Sequence, residues 1–235
     1  MESTKIKPLD VLSESQLSEI RNKNDLRNIF ALFFDWGLMV LGLYVFYYYP
    51  SILTFLASVV VIGSRQFALA VLAHDGAHNL LFSNSKINDF ISQWFCAYPI
   101  FQDNRVYRPY HLKHHRFTET EEDPDLILSA PFPINKKSFF RKVVRDLTGV
   151  TGYKRYSSSL VSIFKTEGDN SSGKISRIWN KIHGFFIVNL VIFILISSFF
   201  HWSLFFLLWW LPAFTYYSLI IRIRNIAEHC VTPGE

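Results

Sequence analysis

The sequence predicts an all-α integral membrane protein, with four transmembrane helices in two hairpins and a cytoplasmic helical region between them that carries clustered histidines. Three observations predict it. Half of the 235 residues are hydrophobic and 17% are aromatic against 18% charged, with mean hydropathy at +0.17, which is more apolar surface than one small soluble core buries. Four apolar segments, at about 29–49, 51–73, 183–200 and 202–221, each approach the roughly 20 residues that cross a bilayer. Nearly all the Lys and Arg lie on one side of those segments. Disorder, collagen and coiled coil are excluded by the same composition.

The elements follow in chain order. Residues 1–28 are polar and mixed in charge, with no apolar stretch ahead of a small-residue cleavage site, so no secretory signal peptide is expected. Ser13 and Gln16 have capping-box spacing before Leu17 and Ile20, which predicts a short helix near the membrane surface. A membrane domain, 29–235, follows this cytoplasmic amino-terminal segment. Tyr49-Pro50-Ser51 and Phe200-His201-Trp202 leave room only for tight turns at the far membrane face, where Tyr47, Tyr48, Tyr49 and Trp202 form an aromatic belt. Lys and Arg number five before span one, one inside span two, sixteen between spans two and three and two after span four, with none in the far-side turns. Both termini and the region 74–182 are therefore expected in the cytoplasm. The net charge of +5 is then an orientation signal, and nucleic acid, which needs a clustered basic face, is not an expected partner.

Phe90–Phe101 is too short to span and is expected to lie in the interface or to re-enter the membrane from the cytoplasmic side. From Lys136 to Leu147, Phe139, Phe140, Val143, Val144 and Leu147 share one helical face and Lys136, Lys137, Arg141, Lys142 and Arg145 take most of the rest. That pattern fits a helix on an anionic membrane surface, or an ordinary packed surface helix. Gly168–Gly173 reads as a flexible linker, and the glycosylation sequon at Asn170 within it is expected to be silent on the cytoplasmic side. Cys96 and Cys230 form no paired spacing, so neither a disulfide framework nor a zinc-thiolate site is supported.

Five of the eight histidines fall in two clusters. Span two ends in His74-Asp75-Gly76-Ala77-His78, and histidines four apart on a helix share a face and reach a common ion. Alone, such a pair is more often chance or a hydrogen-bonding pair. Asp75 stands where a zinc protease needs glutamate, which disfavours that chemistry. His111-Leu112-Lys113-His114-His115 places three imidazoles on one face if helical, at the same membrane side, and the coincidence favours a metal site. Asn225-Ile226-Ala227-Glu228-His229 follows span four; by itself His229 is equally well a surface histidine. The six imidazoles together exceed what one tetrahedral zinc uses, so two metal ions are expected.

HDGAH at 74–78, HLKHH at 111–115 and NIAEH at 225–229, arranged after two hairpin pairs, resemble the membrane fatty acid desaturases, di-iron enzymes with three histidine boxes. YRPYHLKHH (107–115) and EEDPDL (121–126) are similar to bacterial members, and the likeness runs from about residue 28 to the carboxyl end. The resemblance implies two iron ions held by His74, His78, His111, His114, His115 and His229, with Asn225 holding a metal-bound water. It also implies O2 as co-substrate, a lipid or acyl substrate, and an electron donor of ferredoxin or cytochrome b5 type. The family has a further HxxHH box downstream of the position matching His229, whereas this sequence stops at Glu235; His183 and His201 belong to no box. The chain is therefore expected to be carboxyl-truncated, a fragment or a degenerate copy, with the iron site short of two or three ligands if nothing is missing.

The reaction that the resemblance implies itself calls for a metal. Removing hydrogen from an unactivated methylene is beyond any side chain acting as acid or base, so a metal and O2 are required. Asp75 and Glu228, beside proposed ligands, and Asp123 and Asp125 are candidates to orient the imidazoles, the last two also readable as a solvated acidic loop. Lys113, Arg116, Lys136 and Lys137 suit an acidic electron carrier, or record topology alone. Inside the spans only Asp35 and Arg65 ionise; at about 1.5 Å per residue they lie at nearly equal depth and are predicted to pair across the first hairpin. A hydroxylase or ketolase on the same scaffold is the nearest rival. Metal transport is disfavoured, because the histidines gather at one face instead of along a mid-membrane path.

Overall fold

The computed structural model describes residues 8–118, 120–126, 132–164 and 171–229. Among them there is no strand, and four helical stretches, Glu14–Tyr48, Ile52–Ala77, Ile178–Phe199 and Phe205–Glu228, are long and apolar enough to cross a membrane. The Ser13 hydroxyl accepts from Gln16 N while Gln16 Oε1 accepts from Ser13 N at 3.0 Å, and this reciprocal cap starts α1 (Glu14–Arg21). Asn24 then caps α2 (Asp25–Tyr48), and Ser51 with Thr54 caps α3 (Ile52–Ala77), leaving the expected tight turn at Tyr49–Ser51.

α2 and α3 pack antiparallel around Met39, Leu43, Ile62 and Leu69. The pair expected deep inside this hairpin meets: Arg65 Nη1 donates to Asp35 Oδ1 at 2.9 Å, and Asp35 is 5% exposed. The second hairpin is α8 (Ser171–Phe199) followed by a π-helix (Phe205–Trp210), α9 (Leu211–Phe214) and α10 (Tyr216–His229).

The fourth span expected over 202–221 is present as the apolar stretch Phe205–Glu228, and its helical ladder is irregular inside. Pro212 has no N–H for the helical ladder, the wider π-turn precedes it, and Thr215 leaves helical geometry at φ −106, ψ −90. The residues expected just beyond the span's end instead form the last turns of α10. The start of span three also shifts, since Ser171–Gly173 belong to α8 instead of a linker. Residues 168–170, with Asn170, and Cys230 lie outside the described residues.

Between the hairpins runs α4 (Ser85–Ile91), continued by a second π-helix (Ser92–Ala97) and a 3-10 turn (Tyr98–Ile100). Trp36 Nε1, next to Asp35 in α2, donates to Phe95 O at 3.1 Å. That bond carries the short apolar stretch to the depth of the interhelical ion pair, which favours re-entry over an interfacial position. Gln66 Nε2 likewise donates to Trp209 O at 2.8 Å, so spans one and two each bond a carbonyl in one of the two π-helices, where the regular ladder is disturbed. Asn189 of α8 completes the layer, donating to Tyr98 O at 2.9 Å and accepting from Trp209 Nε1 at 3.3 Å.

α5 (Asn104–Phe117) follows, then α6 (Lys136–Leu147), with Asn135 as its cap, and α7 (Val150–Phe164). Gly149, at φ 80, makes the turn between α6 and α7 in the left-handed region that favours glycine.

Candidate metal centre

The first histidine box sits at the C-terminal end of α3, where backbone carbonyls lack intrahelical partners. Side chains from distant segments supply them. Asn104 Nδ2 donates to Ala73 O at 2.8 Å, Asn88 Nδ2 to Gly76 O at 2.9 Å, and Arg108 to both Gly76 O and Ala77 O at 2.9 Å. Arg108 also pairs with Asp89. On α5, Asn104, Arg108, His111 and His115 recur at +4, +3 and +4, one continuous stripe turned to α3. The bonds that finish one helix therefore set the register of the histidines on the other.

His74, His78, His111 and His115 converge, each offering a nitrogen, with all four donor atoms within 4.8 Å of one another. His111 is the hub, its Nε2 lying 2.9 Å from Nε2 of both His78 and His115. Neighbouring donors on one ion, with bonds of about 2.1 Å, stand about 3 Å apart, which matches this spacing. Burial, with added repulsion from His74, His115, His78 and His114, pushes the His111 pKa down to about 3. Burial and the neighbouring His74 and His115 lower that of His78 as well. Both rings are thus neutral at physiological pH, the protonation state a metal ligand requires. The donor set fits a transition-metal ion of intermediate softness such as iron.

His114 departs from the expected single face. At 100° per residue its side chain points 100° away from that of His115, toward the 120–126 loop. There Nδ1 donates to Asp123 Oδ1 at 2.7 Å, with both residues buried, and Asp125 Oδ2 lies 3.8 Å away. Asp123 also accepts from Asp125 N at 2.8 Å, and Tyr110 OH donates to Asp125 at 2.6 Å, so this acidic loop is folded onto α5. Asp75 Oδ1 stands 3.3 Å from His74 Nδ1. On α10, Asn225 is half-buried and Glu228 accepts from Arg224 Nε at 2.8 Å. The side chain of His229 lies outside the described residues.

Sequence reasoning missed Tyr107, whose ring stacks on His111 at 4.9 Å and 13°, although its i, i+4 spacing was visible. It also missed Asn88, Asn104 and Arg108, whose roles depend on contacts between distant segments. A cavity of about 280 Å³ lined by His78, Asn79, Ser85, Asp89, Arg108 and Leu112 opens beside the cluster.

Gly76, between the two histidines of the first box, gives a direct test of this packing. A β-carbon there would stand 2.1 Å from Ser92 Cβ, which is fixed to its backbone, so the π-helix must move. Gly76→Ala is expected to cost about 1–3 kcal/mol of stability and to lower metal content, read by thermal unfolding and elemental analysis on the same sample.

Comparison with known proteins follows the same lines. The profile of the family described as fatty acid desaturase matches residues 50–233. A dihydrorhizobitoxine desaturase from Bradyrhizobium elkanii is 41% identical over 71 residues, a stretch covering 29% of this chain and 20% of that protein. No solved structure matches.

Proposed function

The chain belongs to the fatty acid desaturase family, and from that premise we propose that it is a membrane-bound, iron-dependent oxidoreductase that introduces a double bond into a lipid acyl chain. The observation that carries this reading is the convergence of His74, His78, His111 and His115 at the end of a helix apolar enough to cross a membrane. These four would hold one iron, and we assign His114, His229 and, through water, Asn225 to a second. Bound iron supplies the oxidising power of O2 that a saturated methylene demands. In balance, two hydrogens leave adjacent methylenes, and O2 with those hydrogens, two external electrons and two protons becomes two waters.

The protein's own contribution is positional. Burial keeps His111 neutral, Asp123 fixes the His114 tautomer by accepting from Nδ1, and Asn104 and Arg108 lock the two histidine stripes together. The adjoining apolar spans would exclude water from an acyl chain that reached the centre. Following the Lys and Arg distribution, we place both termini and the histidines in the cytoplasm. An electron donor of ferredoxin or cytochrome b5 type would meet the exposed Lys113 and Arg116 beside the site.

The test is mass spectrometry of lipids after turnover in nanodiscs with a reduced donor. Loss of two hydrogens supports desaturation; gain of one oxygen identifies the hydroxylase rival, and no change under any donor counts against both. A second reading, a substrate other than a fatty acid, is favoured by the relative named for dihydrorhizobitoxine. The same mass change in a soluble metabolite, with the lipids unaltered, would select it.

A further inference from the structure

We propose that α6 and α7 seat on the anionic headgroups of the surrounding bilayer, a membrane contact additional to the four apolar spans. A packed amphipathic helix turns its apolar side to the protein and its charges to water. α6 does something else. Its one buried residue is Asp146, at 0% exposed, which grips Arg222 of α10 through Nη2 at 2.8 Å and also through Nε. At 100° per residue the outward arc opposite Asp146 runs from Leu147 and Phe140 through Val144 and Lys137 to Arg141 and Arg145. Its first half is apolar and uncovered, with Phe140 67% and Leu147 47% exposed, and its second half is basic.

α7 prolongs the apolar half and joins it to the lipid-facing surface. Gly152 lies so close to the fourth apolar span that a β-carbon would stand 2.4 Å from Phe214 O, while Tyr153, Leu160 and Val161 are exposed. Apolar side chains continuous with a membrane-crossing helix and flanked by Lys and Arg are the composition of an interfacial, anionic-lipid-binding element. A soluble acidic protein would use the basic half and leave Phe140, Leu147 and Tyr153 without a partner. Lys137 thereby passes from the donor-binding surface read in the sequence to a lipid contact.

The full chain carrying Cys230→Ser and a polarity-sensitive fluorophore at Phe140→Cys or Leu147→Cys tests this in nanodiscs of phosphatidylcholine, with or without phosphatidylglycerol. The expected result is a blue-shifted label, quenched several-fold more by lipid-tethered nitroxide than by aqueous iodide. Phosphatidylglycerol should deepen the nitroxide quenching. The triple reversal Lys137→Glu, Arg141→Glu and Arg145→Glu should cancel that increment, with metal content unchanged as the folding control. Iodide quenching indifferent to lipid would open this face to a soluble carrier and overturn the proposal. So would lipid quenching without a phosphatidylglycerol effect, or a label that neither quencher reaches.

Discussion

Substituting His111 by alanine is expected to empty the candidate centre of iron. Its Nε2 stands 2.9 Å from those of His78 and His115, and its ring centroid is 4.6 Å from that of His74, so every member of the four-histidine group is arranged around it. Loss of a partner that merely orients a ligand costs about 10–100-fold in affinity. Loss of the hub itself should exceed about 100-fold, while Asp123→Asn, which leaves His114 in place but removes the charge behind it, should fall within that range. His183 provides the control, because its Nδ1 bonds the Trp179 carbonyl of its own helix at 3.0 Å, away from the cluster. His183→Ala should keep the wild-type metal content. Elemental analysis of the purified proteins decides the matter: His111→Ala retaining full iron, or wild-type protein loading zinc in preference to iron, would remove the basis for iron chemistry. Close to two irons per chain would support the second site as well as the first.

Why the histidines were legible and their supports were not is a question of sequence distance. The pairs 74/78 and 111/115 are i, i+4 patterns, and a helix makes such a pattern a shared face whatever surrounds it. The same arithmetic applied more strictly separates His114 from His115 by 100°, a split available in the sequence and overlooked when three imidazoles were placed together. Asn88, Asn104 and Arg108 are ordinary surface types until the ends of α3 and α5 meet, and no periodicity announces a bond across 31 residues such as Asn104 to Ala73. The apolar spans were legible by length and hydropathy, and α6 has the limits its amphipathic pattern predicted. The fourth span was legible in the same way, but its internal irregularity was not, because π-turns leave no compositional mark. Pro212 was its one visible signal, and tolerance of proline in membrane helices weakens that signal.

Arg65→Leu is expected to destabilise the protein by about 3–5 kcal/mol, because it strands a buried carboxylate in an apolar hairpin. Asp35 is 5% exposed, and the bond to Arg65 Nη1 at 2.9 Å crosses between the two helices of the first hairpin. Asp35→Leu should cost less, since the Arg65 side chain is 29% exposed and long enough to move its charge toward the interface. The double variant Asp35→Leu/Arg65→Leu should recover most of the loss, because neutralising both partners removes the desolvation that each imposes. Equilibrium unfolding of the four proteins in one lipid or detergent gives the coupling energy directly. Additive costs would show that the pair is not coupled and release Arg65 for another role, contact with a substrate headgroup included. Strong coupling would assign it to the scaffold, with a structural consequence one residue away. Gln66 donates to Trp209 O at 2.8 Å, so the turn of α3 fixed by the ion pair is the same turn that holds the π-helix of the second hairpin. In that case the charge pair orders the contact between α3 and the π-helix of the second hairpin.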